Sequence, residues 1–271
     1  SKPHLPWYVP QEFFDLYPLD EVDPAPFRRD DLDDIVKAHG EPIFRPGDRF
    51  RLADETGMHR QANRAYLANV SYVDHCLGVL FDALEASKYS KNTIVMIWGD
   101  HGWHLSEKMH YGKTNLWEES ARVPFIVKLP GASSRGVRCD RVVNLIDMYP
   151  TLIEWCGLPP NSENDGRSFA PLLKDPTLTW DFPTLTTYKF KNHSVTDGRF
   201  RYTWYGGRAD GAEELYDHGN DPLEHTNLAS DPKYRDVIER LKKALPRHNE
   251  PDSPVNPHND LKKRKRLPAA N

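Results

Sequence analysis

Cysteine is scarce. Cys76, Cys139 and Cys156 are the full set, and no two of them form a C-x-x-C pair. That pattern neither requires nor excludes one disulfide, so it leaves the redox compartment open. No apolar run is long enough to cross a bilayer, which argues against a helical membrane span within these residues. A charged-then-apolar leader is also missing. The chain opens at Ser1-Lys2-Pro3-His4 without an initiator methionine, and the expectation is that residues precede it or that a leader was cleaved. There is no G-x-S-x-G elbow, no P-loop and no dinucleotide fingerprint. Nothing in the sequence therefore supplies a recognisable attacking group.

Hydrophobic residues make up 38% of the 271 positions, and seven are Trp. That content supports a real core in one large domain, or in a domain with a smaller appendage, and argues against a disordered chain. Proline occurs 23 times and clusters near both ends, where long irregular connections are expected. The formal net charge of -4 says nothing in favour of nucleic acid as a partner. Positive charge is concentrated in Lys262-Lys263-Arg264-Lys265-Arg266, either a solvated tail or a contact for an anionic polymer.

Residues 1–50 read as a proline-rich, surface-covering segment with a short helix near Pro10–Phe14. Residues 55–88 read as the clearest helix, because Ala62, Tyr66, Val70, Val73, Leu77, Leu80 and Leu84 recur at three- and four-residue steps. One face is expected to bury against a sheet. The continuous apolar run Thr93–Trp98 suits a strand covered on both faces in a parallel α/β sheet. It stops at Gly99-Asp100-His101-Gly102, the strand end beyond which ligands gather in open α/β sheets. Val123–Leu129 is another strand candidate, and Pro150 opens a helix that ends near Gly157. After residue 176 the composition changes to short strand-like pieces at 184–188, 194–197, 200–205 and 214–216, read as a small antiparallel sheet. A surface helix follows at 232–245. The division expected is 1–176, 177–245 and a proline-rich basic tail at 246–271.

Asp100 and His101 are adjacent groups able to hold a divalent cation. Oxygen favours calcium or magnesium, and imidazole leans towards a transition metal. A strand-end cap beside a satisfied histidine is the alternative. His101, His104, His110 and Lys113 fall within thirteen positions, in a polar loop directly after the strand. Lys113 offers a mobile point charge for a tetrahedral anion. His104 and His110 can donate to that anion, to sugar hydroxyls, or to local backbone groups. Trp103 is a candidate pocket wall or a core residue. His4, with proline close on each side, is an imidazole aimed at low entropic cost, and with Lys113 it permits an anion clamp.

Gly99-Asp100-His101-Gly102-Trp103, then Glu107, Gly112-Lys113 and Glu118-Glu119-Ser120-Ala121-Arg122-Val123-Pro124-Phe125-Ile126, form an ordered series that resembles the type I sulfatases of the alkaline-phosphatase-like superfamily. Lys2-Pro3-His4-Leu5-Pro6, Asn69–Asp74, Glu214-Leu215-Tyr216-Asp217 and Asp221-Pro222 match the iduronate-2-sulfatase-like subgroup. The similarity runs over residues 1–245. It implies the C-terminal part of an α/β sandwich with a small antiparallel-sheet subdomain. It also implies sulfate-ester hydrolysis by a formylglycine made from Cys or Ser in a C/S-x-P-x-R signature, with calcium and basic residues holding the sulfate. Carried over by position, Asp100 and His101 resemble the calcium ligands, Lys113 the lysine on sulfate, and His4 the histidine that binds sulfate or protonates the leaving group. Lys108 and Arg167 are candidates for a carboxylate flanking the sulfated position, beside Trp103, His104 and His110 as substrate contacts.

The formylglycine cassette and the paired N-terminal metal aspartates of the family are not found here. The resemblance therefore implies an N-terminal half as obligate partner, a sulfated oligosaccharide or polysaccharide as substrate, and a periplasmic or secreted location (lysosomal in an animal). A phosphoester or phosphonate hydrolase of the same superfamily and a non-catalytic sulfated-glycan binding protein are the competing readings.

Overall fold

A computed structural model describes residues 2–37, 40–131, 136–207 and 211–251. Ser1, the basic run 262–266 and the rest of the tail beyond residue 251 lie outside the described residues.

The dominant element is α3, His59–Glu85, preceded by α1 (Gln11–Asp15) and α2 (Asp48–Thr56). At 1.5 Å per residue α3 is about 40 Å long, and it has no proline in its 27 residues. The N-terminal segment packs along one side of it. Phe13 meets Tyr72 edge-on at 5.2 Å, Tyr17 Oη shares a 2.6 Å hydrogen bond with Ser71 Oγ, and Arg64 Nη2 donates to the Phe14 carbonyl at 3.0 Å. The proline-rich segment is not merely a surface cover, however. Leu32 and Ile35 are buried with Phe50, Ala53, Met109, Tyr111, Trp117 and Tyr216 in one core cluster. Met58 N–H bonds the Ala53 carbonyl, and Gly57 takes the left-handed conformation (φ +68°) that turns α2 into α3.

β1 (Val95–Trp98) pairs antiparallel with β4 (Phe125–Lys128), Val95 opposite Lys128 and Trp98 opposite Phe125. This corrects the expectation of a parallel strand covered on both faces. Trp98 is 47% exposed and Ile126 57%. The expected burial of α3 against a sheet is also corrected: Val70, Val79 and Leu80 remain exposed. The physical reason is shared. A two-stranded pair has too little apolar surface to cover both its own second face and a long helix.

Between these two strands lie the short hairpin strands β2 (His104–Leu105) and β3 (Tyr111–Gly112) and the single turn α4 (Glu118–Ala121). After β4 come α5 (Met148–Trp155) and α6 (Ala170–Lys174). Asp147 organises the start of α5: its Oδ2 accepts from Asn144 N–H at 2.8 Å and its Oδ1 from Arg167 N–H at 2.7 Å. Pro150 is the third residue of α5, within its first turn, and Gly157 (φ +63°) closes the end.

The chain finishes in an antiparallel meander of β5 (Thr184–Thr187), β6 (Asn192–Thr196), β7 (Phe200–Tyr205) and β8 (Ala212–Asp217), backed by α7 (Arg235–Lys242). The β6–β7 turn is set by Asp197, whose Oδ1 accepts from Arg199 and Phe200 N–H at 2.9 and 2.7 Å, with Gly198 at φ +96°. α7 places Ile238 and Leu241 on Val195, Phe200, Tyr202 and Leu215. Leu241 is 1% exposed. Leu241→Ala is therefore expected to lower unfolding free energy by about 2–5 kcal/mol, read from the shift of the urea midpoint in the intact protein. A loss below about 0.5 kcal/mol would mean that α7 is not part of the core.

Candidate active site

β1 delivers Asp100 and His101 at its carboxyl end, and the turn that follows is locked. Gly102 N–H bonds the Ser120 carbonyl at 2.9 Å. A Cβ at Gly102 would fall 2.1 Å from the Glu119 carbonyl oxygen and 2.7 Å from that of Arg122, so only glycine fits. His101 Nδ1 lies 2.8 Å from the Gly102 carbonyl and donates to it, which turns Nε2 outward. That Nε2 stands 3.6 Å from Asp100 Oδ2, whose side chain is 86% exposed. One cation can touch both atoms at ligand bonds of roughly 2.0–2.6 Å. A hard oxygen, an oriented imidazole and an open cavity fit a divalent ion, with the remaining ligands coming from elsewhere.

The β2–β3 hairpin then brings in Lys113. His104 pairs with Gly112, so one further step in register sets Trp103 against Lys113. Lys113 Nζ accordingly stands 5.6 Å from the centre of the Trp103 ring, and Lys113 forms no ion pair among the described residues. The His4 ring meets the same Trp103 edge-on at 5.9 Å, with the Trp7 ring 6.2 Å away. Trp7 Nε1 donates to the Pro3 carbonyl at 2.8 Å, which fixes the segment carrying His4. Asp100, His101 and Lys113 all line one open cavity of about 2420 Å³, together with Thr114, Asn115 and Glu119. Burial, reinforced by Glu107, Glu118 and Glu224, raises the Glu119 carboxyl above its ordinary range.

Several residues expected at this site are placed elsewhere. Lys108 is 2% exposed, and its Nζ donates to Asp31 Oδ1 at 3.0 Å, to Tyr216 Oη at 3.3 Å and to the Glu224 carbonyl. A lysine so surrounded is a structural cation, which corrects its reading as a substrate contact. His104 is fully buried, with Nδ1 3.2 Å from the Glu107 carbonyl and Nε2 3.2 Å from Asn115 Oδ1. Each ring nitrogen faces an oxygen of the loop and the neutral ring donates to one of them, so His104 supports the loop and does not line the cavity. The His110 ring lies between Gly47 and Gly112, where a Cβ would approach it to 2.9 and 3.0 Å. Burial, and then Arg49, lower its pKa. Arg167 is exposed and stacks on Phe182 at 3.7 Å, outside the residues that line the cavity.

What sequence reasoning missed is the group behind the Lys113 loop. Glu118, His218 and Glu224 come close enough to share a metal ion. The place is already filled by a guanidinium: Arg201 Nη2 binds Glu118, and its Nε lies 2.9 Å from Glu224 Oε1. Burial alone would raise the Glu224 carboxyl, but the His218 hydrogen bond and Arg201 bring it below its ordinary value. The only signals in the sequence were Glu118, within the ordered series, and Asp221-Pro222 just before Glu224.

The sulfatase family model matches residues 1–158, more than half of the chain. The chain belongs to the sulfatase family. The model for the N-sulphoglucosamine sulphohydrolase C-terminal region matches residues 99–251 of this sulfatase chain. A sulfatase from Formosa agariphila is 38% identical over 92% of the chain and 48% of its own length. The choline-sulfatase of Rhizobium meliloti is 31% identical over 86% and 46%, and human iduronate 2-sulfatase 25% over 89% and 58%. The chain thus spans about half the length of the curated relatives it matches. Among solved structures, a phosphonate monoester hydrolase from Silicibacter pomeroyi superposes with a TM-score of 0.71 at 20% identity, over 89% of this chain and 53% of its own. A protein in complex with D-glucosamine-2-N,6-O-disulfate gives 0.68 at 19%, over 89% and 62%. At these identities the superpositions establish the mixed α/β, alkaline-phosphatase-like fold of this sulfatase.

The buried histidine makes stability depend on pH. Burial, then His110, hold His104 at about 3 against an ordinary 6.5. The unfolded chain therefore takes up a proton below pH 6.5 that the native state refuses. Stability is complete above that pH and falls as pH drops towards 3, by about 1.4 kcal/mol per pH unit. The raised carboxyls of Glu107 and Glu119 act in the opposite sense, so the measurement is a difference. Between pH 6.5 and 5, His104→Gln should lose about 2 kcal/mol less than the unaltered protein. Parallel urea midpoints in the two proteins would contradict this.

Proposed function

We propose that this chain is the C-terminal part of a hydrolase that removes sulfate esters from a sulfated carbohydrate. The observation that carries the proposal is that Asp100, His101 and Lys113 line one cavity, with Trp103 beside Lys113 and His4 against that ring, both just outside the lining. An uncompensated ammonium beside two metal-competent groups suits a tetrahedral anion better than a neutral substrate.

Each residue then has a task. Asp100 and His101 hold the cation, calcium by family resemblance, with magnesium or a transition metal as alternatives. When bound, that ion polarises the sulfate oxygens. Lys113 neutralises charge on a non-bridging or leaving oxygen. The exposed His4 imidazole is the proposed proton donor to the departing alcohol. Trp103 stands beside Lys113 and the His4 ring and supplies an apolar wall against a sugar ring. The nucleophile is a formylglycine on an N-terminal segment outside these residues, in the same polypeptide or on a separate chain. The uncovered surface of Trp98, Ile126, Val79 and Leu80 supports such a covering half, because exposed apolar area of this kind marks a contact surface.

The substrate class draws on relatives. Among them, beside the iduronate 2-sulfatase, is a delta 4,5-hexuronate-2-O-sulfatase from Bacteroides thetaiotaomicron, 29% identical over 69% of the chain and 42% of its own length. A sulfated uronate in a glycan is accordingly the substrate proposed, and a periplasmic or secreted location follows from such a polymer.

The test is Lys113→Ala in the intact polypeptide, assayed on a sulfated uronate disaccharide, an aryl sulfate and a phenylphosphonate monoester. The expected result is a 10²–10³-fold fall in kcat on sulfate esters, of the order seen when one oxyanion donor is lost, with the thermal midpoint nearly unmoved. Unchanged turnover would refute the role of Lys113. Efficient phosphonate hydrolysis without sulfate-ester turnover would transfer the chain to the phosphonate class.

A further inference from the structure

Three stretches matched as motifs, Glu214–Asp217, Asp221-Pro222 and Glu118, have no part in the chemistry above. They meet behind the Lys113 loop. Glu224, 2% exposed, holds that loop at two points five residues either side of Lys113. Its backbone carbonyl accepts from Lys108 Nζ, and its Oε2 accepts from the Glu118 N–H at 2.9 Å. Glu214 adds a third tie, accepting from Trp117 Nε1 at 2.8 Å and from Tyr216 Oη at 2.6 Å. Arg201, 2% exposed, reaches the Leu116 carbonyl at 3.4 Å as well as Glu118 and Glu224. Inside the loop, Asn115 N–H bonds the Lys113 carbonyl at 2.9 Å, and Asn115 Oδ1 accepts from Trp117 N–H at 3.1 Å.

The backbone is strained where these ties act. Lys108, Met109 and Glu224 have φ of +53°, +46° and +60°, a region that non-glycine residues enter only when their surroundings enforce it. A loop bent this way would relax if one end were released, and the lysine at its centre would move with it.

We infer that Glu224, with Glu214, is a positioning residue for Lys113: the C-terminal sheet is a clamp that sets the ammonium against the bound sulfate. The inference rests on the reading of Lys113 as a sulfate contact. It goes beyond that reading by giving the C-terminal sheet a share in turnover, exerted through residues that never touch substrate.

A double-mutant cycle tests it in the intact protein with an aryl sulfate as probe. Glu224→Gln, Lys113→Ala and the double variant are compared by kcat and KM. Glu224→Gln keeps the shape and an acceptor oxygen but loses the charge that holds Arg201. It is expected to lower kcat by about 10- to 100-fold with KM within about 2-fold, the pattern of an interaction made only in the transition state. In the Lys113→Ala background the same change should cost less than about 2-fold, because residues acting through one another are not additive. An equal factor in both backgrounds would overturn the inference and leave the Lys113 reading intact. If Lys113→Ala itself costs nothing, it is the Lys113 reading that fails. Should Glu224→Gln not fold, Trp117→Phe removes the indole bond to Glu214 along with part of the ring packing on Phe44 and His104, and runs through the same cycle, with the same two outcomes.

Discussion

Three charges hidden from water, on Lys108, Arg201 and Glu224, are the constraint on which the rest of the structure depends. Each has a partner from a distant part of the chain: Asp31 on Lys108, the Glu118 carboxylate on Arg201, and the Glu118 N–H on Glu224. Buried ions of this kind add little net stability as a set, yet removing one partner costs about 3–5 kcal/mol because the other is left uncompensated. Such a network is a device for fixing geometry. It ties β8 and the turn after it to the loop that follows β1, and it passes through the core cluster that holds Leu32, Tyr111, Trp117 and Tyr216.

The site forms where that fixed loop meets the end of β1. Gly102 allows the strand-end turn to lie against two carbonyls, so Asp100 and His101 project into the cavity and do not fold back. The hairpin register sets Lys113 opposite Trp103, and Trp7 holds the segment of His4 against the same ring. Charges brought to one place by rigid backbone need little reorganisation when an anion binds, which is what electrostatic stabilisation of a transition state requires. The family places this arrangement among the sulfatases. β1, β4 and α3 keep apolar side chains exposed, among them Trp98, Ile126, Val79 and Leu80.

Local periodicity made much of the fold legible. The α3 repeat, the β1 and β4 apolar runs, and the four short strands of the meander were readable because each carries its pattern within ten to thirty residues. α2 was not, since it follows Pro46-Gly47 and only Phe50 and Ala53 of its nine residues are buried. Neither was the bareness of β1, because an apolar strand reads alike whether or not its neighbours are present. The site divided the same way. Asp100, His101 and Lys113 could be placed from one loop. Lys108 and His104 look like pocket residues in sequence; contacts over long chain separations, to Asp31 and Glu224, show Lys108 to be an interior support, and full burial shows the same of His104.

The central claim is that one anion site is shared by Lys113 and His4 and faced by a cation on Asp100 and His101. It is tested most directly by a crystal structure of the intact protein with tungstate and calcium, the heavy oxyanion being located by its anomalous signal. The account predicts tungstate in hydrogen-bond contact with Lys113 Nζ, beside Trp103, with calcium bound to Asp100 and His101 on its other side. Tungstate elsewhere, with Lys113 turned to solvent and no density between Asp100 and His101, would contradict it.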